Sequence, residues 1–369
     1  MAATLHLGVL STIGGVGMWS FVVVLPAMQA EFGVARADAS LPFTLTMVGF
    51  ALGGVLMGRL LDRFGIVLPV VCGAITLGLG YIGSGYAVNI WQFAALQGLI
   101  GFGASATLGP LIADVSHWFT RWRGTAVAIC STGNSIAGTV WPPIMQHFIE
   151  AAGWRQTQIG IGLFCLATMV PLVLLALRRR APKHQFTSAS TVAVQAQGTI
   201  ALSPNVLQAL LCIAGVACCV AMAMPQVHIV AYCGDLGYGP ARGADMLSLM
   251  MAFGIVSRVV SGFIADRIGG LGTLLLGSAL QTVALFLYLA FDGLTSLYVI
   301  SAIFGLVQGG IIPSYPIIVR EYFSPQEAGT RIGIVLMATL FGMALGGWMS
   351  GAIFDLTGSY RAAFLNGLL

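Results

Sequence analysis

One arginine lies deep in an apolar run: Arg258, within Met246-Leu-Ser-Leu-Met-Met-Ala-Phe-Gly-Ile-Val-Ser-Arg258-Val-Val-Ser-Gly262. Its planar guanidinium suits a carboxylate, which it can hold through two parallel hydrogen bonds. In a bilayer that charge would cost about 2.5–3.5 kcal/mol at the helix centre on insertion scales. Either a ligand or a structural partner, an acid or a helix end, must repay it. Three groups nearby in type can move protons: Asp235, 23 residues before Arg258, then Asp114, then His228. A carboxyl in a half-dry mouth can take up and release a proton, and imidazole titrates in the same range. Asp235 reads equally as a loop acid before Gly237, Asp114 as a water-facing end charge and His228 as packing. Lone polar residues in other apolar runs can complete a pocket: Asn134, Gln308, Tyr315 and Trp19, with Ser20 beside it.

Other chemistries find no support. Gly78-Leu-Gly80-Tyr-Ile-Gly83 has dinucleotide-fingerprint spacing, but it lies in an apolar run with no strand before it. No phosphate-binding Gly-x-x-x-x-Gly-Lys-Ser/Thr occurs, so ATP-driven work would need another subunit. His6, His117, His147, His184 and His228 are isolated from Cys, Asp and Glu at ligand spacing, so no metal site and no cofactor are expected. The seven cysteines show no Cys-x-x-Cys and read as small apolar filler. No acid/base or nucleophile cluster points to an enzyme.

The elements that carry these residues follow from composition. Of 369 residues, 58% are hydrophobic and 8% charged, at mean hydropathy +0.94. Soluble domains carry about 25% charged residues, so lipid must be the solvent for much of this chain. Lys183 is the only lysine, which excludes a lysine-rich nucleic-acid surface. A crossing helix needs roughly 20 apolar residues. Spans are predicted at 6–29, 41–61, 66–86, 91–113, 124–147, 158–177, 204–231, 242–262, 271–291, 295–319 and 329–353, eleven in all. The first run is too long for a cleavable signal peptide and lacks a basic flank. A twelfth span begins at Phe364 and stops at Leu369, which reads as truncation. Within the tenth, Pro313 and Pro316 flank Tyr315 and are expected to break the helix and free backbone groups.

Arginine placement sets the expected orientation. With the N-terminus inside, inner loops hold eleven Lys and Arg and outer loops four, which favours a cytoplasmic N-terminus in a cell membrane. The polar stretch from Arg178-Arg179-Arg180 to Ser203 then becomes a cytoplasmic linker.

An internal repeat is the strongest signal. Gly58-Arg-Leu-Leu-Asp62-Arg63-Phe-Gly65 recurs as Gly262-Phe-Ile-Ala-Asp266-Arg267-Ile-Gly269, shifted by 204 residues. Trp118-Phe119 recurs as Tyr322-Phe323, Gly124-Thr125 as Gly329-Thr330, and Gly153-Trp154-Arg155 as Ser359-Tyr360-Arg361. Two homologous six-span halves related by an axis along the membrane normal account for this register. The chain here resembles the major facilitator superfamily, whose signature loop is Gly-x-x-x-Asp-Arg-x-Gly between the second and third spans. The resemblance implies that the aspartate at Asp62 joins a helix-end contact latching the halves together. Loop charges anchoring the topology explain Asp62, Arg63, Asp266 and Arg267 as well.

Pro225-Gln-Val-His228-Ile-Val-Ala-Tyr232-Cys-Gly-Asp235-Leu-Gly237, followed by the arginine of the eighth span, resembles the monocarboxylate transporter family and its bacterial relatives, including oxalate/formate exchangers. The resemblance implies that Arg258 binds the substrate carboxylate. Mammalian members carry an aspartate four residues before it, where this chain has Gly254, and the family's first-span lysine is absent. The expectation is an all-α membrane protein of the major facilitator fold, with two pseudo-symmetric six-helix bundles, eleven complete spans and a truncated twelfth. The N-terminal bundle takes 1–177, the linker 178–203 and the C-terminal bundle 204–369. The expected activity is secondary transport of a lactate- or pyruvate-like monocarboxylate, coupled to protons, by a monomer whose partners are a small organic anion, protons and membrane lipid. Organic-anion exchange, or carriage of an aromatic acid or drug, is the alternative, and a non-transporting receptor is a further one.

Overall fold

A computed structural model describes the backbone of residues 2–111, 123–176 and 203–368. Within it the chain is helical and contains no strand. The helices are α1 (Ala2–Gly14), α2 (Val16–Phe32), α3 (Arg36–Phe64), α4 (Val67–Gly85), α5 (Ile90–Ser105), α6 (Arg123–Ala152) and α7 (Trp154–Ala176). After the stretch outside the described residues come α8 (Pro204–Asp235), α9 (Pro240–Ala290), α10 (Leu294–Gln308), α11 (Ile311–Tyr322), α12 (Pro325–Thr357) and α13 (Tyr360–Leu368). Eight helical segments of the described residues are long and apolar enough to cross a membrane. The predicted linker falls almost wholly outside the described residues, as does Asp114.

Local chemistry sets the ends. Asn89 caps α5 by accepting the Gln92 N–H at 2.8 Å, and Ser203 precedes α8, whose first residue is Pro204; both are ordinary ways to satisfy or remove an orphan donor. Gly65 (φ 81, ψ 179) separates α3 from α4. Gly269 adopts the same conformation (φ 76, ψ 171) inside α9, so the predicted eighth and ninth spans meet there. A side chain rarely adopts that positive φ. The two signature loops thus share backbone geometry as well as sequence.

Two expectations need correction. The predicted fourth span to 113 is interrupted: α5 ends at Ser105, tight turns follow over Ala106–Leu108 and helix resumes over 109–111. In the tenth span the break falls at Gly309–Gly310, not at the prolines. There the backbone presses on α9: a Cβ at Gly309 would stand 2.4 Å from the Gly254 carbonyl oxygen, and one at Gly310 2.0 Å from Ser261 Oγ. Pro313 lies in the first turn of α11, where a missing N–H costs little.

Packing follows the bilayer. Leu79, Ile213, Val259, Phe263, Leu275 and Phe341 are exposed, an outer face that only lipid would solvate. Inside, Tyr81, Phe93, Tyr288 and Phe304 are fully buried. The N-terminal half packs α3 on α5 and α4 on α7, and the C-terminal half packs α8 on α12 and α9 on α10. The halves meet where α3 lies on α12, α6 on α9 and α2 on α8.

Candidate functional site

A cavity of about 110 Å³ lies between the halves, with walls from α2, α3, α6, α8, α9, α10, α11 and α12. Arg258 reaches it from α9, as do Gln308 at the end of α10, Asn134 on α6 and Trp19 on α2. Those four predicted site residues are brought together. Arg258 forms no hydrogen bond or ion pair with any described residue, and no Asp or Glu lines the cavity. Much of the wall is methionine, Met18, Met47, Met222, Met251 and Met343, a flexible and polarisable surface. The Trp19 indole N–H is buried without a partner, against Gly138 of α6.

Tyr315 does not line this cavity. It is buried beside Gly215 and Thr339, with its hydroxyl unpartnered. Sequence reasoning passed over Gln226, one turn along α8 from Met222. It is buried and lines the cavity, and its Nε2 donates to Gln308 Oε1 in a short contact. An amide inside a helix leaves no spacing signal, so only its apolar surroundings hinted at it.

At the end of the bundle opposite the signature loops, a second cluster joins the halves. Arg36, first residue of α3, donates to both carboxylate oxygens of Asp235 at 3.1 and 3.2 Å, and to the Tyr360 hydroxyl at 3.1 Å. Its guanidinium carbon also sits 4.7 Å from the centre of the Phe354 ring. Asp355 accepts the backbone N–H groups of Arg36 (2.8 Å) and Ala37 (2.7 Å), so an acid of one half caps a helix of the other. His228 is fully buried there. Its Nε2 lies 2.8 Å from the Gly347 carbonyl, which can only accept, so Nε2 carries the proton. Its Nδ1, 2.9 Å from the Tyr360 hydroxyl, then accepts from it. That leaves the tyrosine oxygen free to accept from Arg36. Two of the proton-coupling candidates, Asp235 and His228, therefore share one network, and His228 acts in it by fixing Tyr360.

The repeat shows what is special about this cluster. Glu31 stands at the position of Asp235 under the 204-residue shift. It accepts from Trp154 and pairs with Arg155 at 2.8 Å, all within its own half. Arg155 also donates to the Gly85 carbonyl at 3.0 Å, and its counterpart Arg361 to that of Leu289 at 3.4 Å. Asp235 alone of the pair reaches across. The sequence placed Arg36 only as an outer-loop charge, because 199 residues separate it from its partner.

At the signature loops the described residues give less. Asp62 has a helical backbone and its side chain lies outside the described residues, while Arg63, Asp266 and Arg267 are exposed. A Cβ at Gly58 or at Gly262 would meet nothing within 4 Å. In the C-terminal copy Glu321 accepts the Gly270 N–H at 2.9 Å, tying α11 to the start of the ninth span within one half.

Comparison with known proteins places this geometry. The model of the Major Facilitator Superfamily matches residues 7–296 and 246–368. The chain belongs to the major facilitator superfamily. Its fold is that superfamily's, all-α and membrane-spanning, and its matches are transporters, not enzymes. It is 26% identical over 379 residues to "Monocarboxylate transporter 13" of Bos taurus, covering 95% of this chain and 86% of the relative. It is 23% identical to the "Uncharacterized MFS-type transporter YcxA" of Bacillus subtilis (strain 168), covering 92% and 85%. Among solved structures it resembles the nucleoside transporter NupG, with TM-score 0.77 and 16% identity, covering 100% of this chain and 96% of that one. The inward-open xylose transporter XylE from E. coli follows at TM-score 0.75 and 13% identity, covering 100% and 93%. At such identities these two structures share the fold of this major facilitator protein and nothing finer.

Proposed function

We propose that this protein carries a small organic monocarboxylate, lactate- or pyruvate-like, by proton-coupled secondary transport, with Arg258 binding the carboxylate. The observation that carries this reading is the unanswered guanidinium of Arg258 in a cavity without acids. A cation kept at cost in an apolar bundle, with no internal partner, is what an anionic cargo would complete. A single guanidinium suits a monoanion better than a dianion. The relatives named monocarboxylate transporters support the same class. The protein would work as a monomer in the cell membrane, N-terminus in the cytoplasm, its six-span halves joined by the linker at 178–203. The signature-loop residues Gly58, Asp62, Arg63, Gly65, Asp266 and Arg267 would serve the gate at the cytoplasmic end.

Proton coupling would run through Asp235. While ionised it holds Arg36 and keeps the far end shut; on protonation it releases Arg36 and lets the halves part there. Exchange of organic anions is the second reading, and Gly254 favours it, because no titratable acid stands beside Arg258.

Uptake of labelled lactate, pyruvate, formate and benzoate into proteoliposomes, with and without an inward proton gradient, tests both. Gradient-stimulated uptake of a monocarboxylate is expected, and Arg258→Ala should reduce it at least about a hundredfold, as for a charged hydrogen-bonded pair worth ~3 kcal/mol. Uptake indifferent to that substitution would refute the assignment of Arg258.

A further inference from the structure

The cavity holds a second set of polar atoms whose chemistry is more selective than the guanidinium. Gln226 is 4% exposed and Gln308 6% exposed, and each comes from a different helix of the C-terminal half. Gln226 Nε2 donates to Gln308 Oε1, which uses one donor group and one acceptor of the pair. What remains is one bare acceptor and one bare donor. Gln226 Oε1 is buried with no partner. Gln308 Nε2 donates to no described residue and stands 4.0 Å from the point a Cβ at Gly254 would occupy. Gly254 is one helical turn from Arg258 on the same helix, so the amides and the guanidinium address neighbouring parts of one ligand. The missing Cβ at Gly254 leaves the space between them open.

From this dyad we infer that the protein selects 2-hydroxy monocarboxylates with an apolar tail, over the 2-oxo and unsubstituted acids of the same skeleton. The inference rests on the reading of Arg258 as the carboxylate-binding group. A hydroxyl both donates and accepts. On C2 of a carboxylate held by Arg258, it donates to Gln226 Oε1 and accepts from Gln308 Nε2, and every amide oxygen and nitrogen of the pair then has a partner. A 2-oxo oxygen only accepts, so Gln226 Oε1 stays buried and bare. A methylene offers neither group a partner, and the buried Gln226 Oε1 left unpaired weakens binding. A site built to bond a hydroxyl discriminates against its analogue far more strongly than an apolar pocket discriminates by size. The tail meets Met222, Met251 and Met343, whose thioethers adapt to chain length and contribute no polar selection.

The test compares three acids of one skeleton, 2-hydroxypropanoate, 2-oxopropanoate and propanoate, as labelled substrates of the full chain in proteoliposomes, with ligand-induced thermal shifts of the purified protein alongside. The hydroxy acid is expected to be taken up with at least about tenfold higher kcat/KM than propanoate, and ahead of the oxo acid. In Gln226→Met the hydroxy-to-unsubstituted ratio of kcat/KM should fall to within about twofold, and a ratio within one folded variant is insensitive to its yield. Gln308→Met should behave alike. Carboxylate uptake without hydroxyl preference in the unmodified protein overturns this inference and leaves Arg258 as the carboxylate site. A preference that survives Gln226→Met overturns it too. Absence of uptake and of thermal shift for all three acids overturns the inference and the monocarboxylate reading together. Should Gln226→Met not fold, the thermal shifts of the unmodified protein with the three acids decide.

Discussion

At the scale of single residues, Gly254 governs how the charge of Arg258 is answered. A Cβ placed there would stand 3.8 Å from the Gly305 carbonyl and 4.0 Å from Gln308 Nε2, ordinary contact distances. The Cβ of an aspartate therefore fits without displacing α10, and four residues from Arg258 its carboxylate would form the pair the monocarboxylate transporter resemblance leads one to expect. In Gly254→Asp that internal carboxylate competes with the substrate. Apparent affinity for the anion should fall about tenfold at neutral pH, since a charge-assisted pair is worth about 1.5–3 kcal/mol. The loss should shrink as the pH is lowered and the new acid is protonated, which KM measured across pH would reveal. An unchanged KM would mean the substrate does not sit at Arg258. Arg258 was legible in the sequence because a charge in an apolar run is conspicuous by its cost. Gln226 was not, since neutral amides are cheap enough to lie anywhere in a bundle. Only the fold shows that Gln226 and Gln308, 82 residues apart, share their amide contact.

At the scale of elements, the helices that cross between the halves are held at one end. Asp355 caps α3 from the last turn of α12, and Arg36 binds Asp235 at the end of α8. Gly347 and Gly351 of α12 approach so closely that Cβ atoms there would lie 2.8 Å from the Phe43 ring and 2.8 Å from the Arg36 carbonyl. Toward the signature loops the glycines of the same two helices make no such contact, since a Cβ at Gly58 or at Gly333 would meet nothing within 4 Å. The Arg36 side chain is 9% exposed and that of Asp235 37%, so their bond is only partly screened. Removing it should cost the closed far end about 1–3 kcal/mol, a five- to more than a hundredfold shift in population. Arg36→Ala and Asp235→Asn are both expected to raise thiol labelling of a cysteine placed at Thr44, which the closed packing half-buries. Equal labelling in the parent and both variants would show that the cluster does not hold the gate. The spans and the repeat could be read from hydropathy and register alone. The crossing bond could not, because its partners come from different halves and neither lies in a repeated motif.

At the scale of the whole molecule, hydropathy identifies lipid as the solvent and the internal repeat gives a pseudo-twofold symmetry, and the helix packing adds where the halves meet. Seams at α3/α12, α6/α9 and α2/α8 enclose a cavity whose polar lining belongs mostly to the C-terminal half, Arg258, Gln226 and Gln308, with Trp19 and Asn134 supplied from the other side. A substrate bound to one half and touched by the other is released or captured as the halves rock, provided the far end opens in turn. Thr44 donates to the Ala344 carbonyl at 2.9 Å, across the seam that would have to part. Cysteines at these two positions, Thr44→Cys with Ala344→Cys, can be joined by a short reducible thiol cross-linker. The linked protein should lose transport by at least about tenfold and recover it on reduction, while its thermal shift with the substrate persists, because the cavity keeps its residues. Binding and transport are thereby separated by one cross-link across the seam. Continued transport by a fully linked sample would mean that the closed far end is not a station in the cycle, and the Arg36–Asp235 contact would then be a structural tie and not a gate.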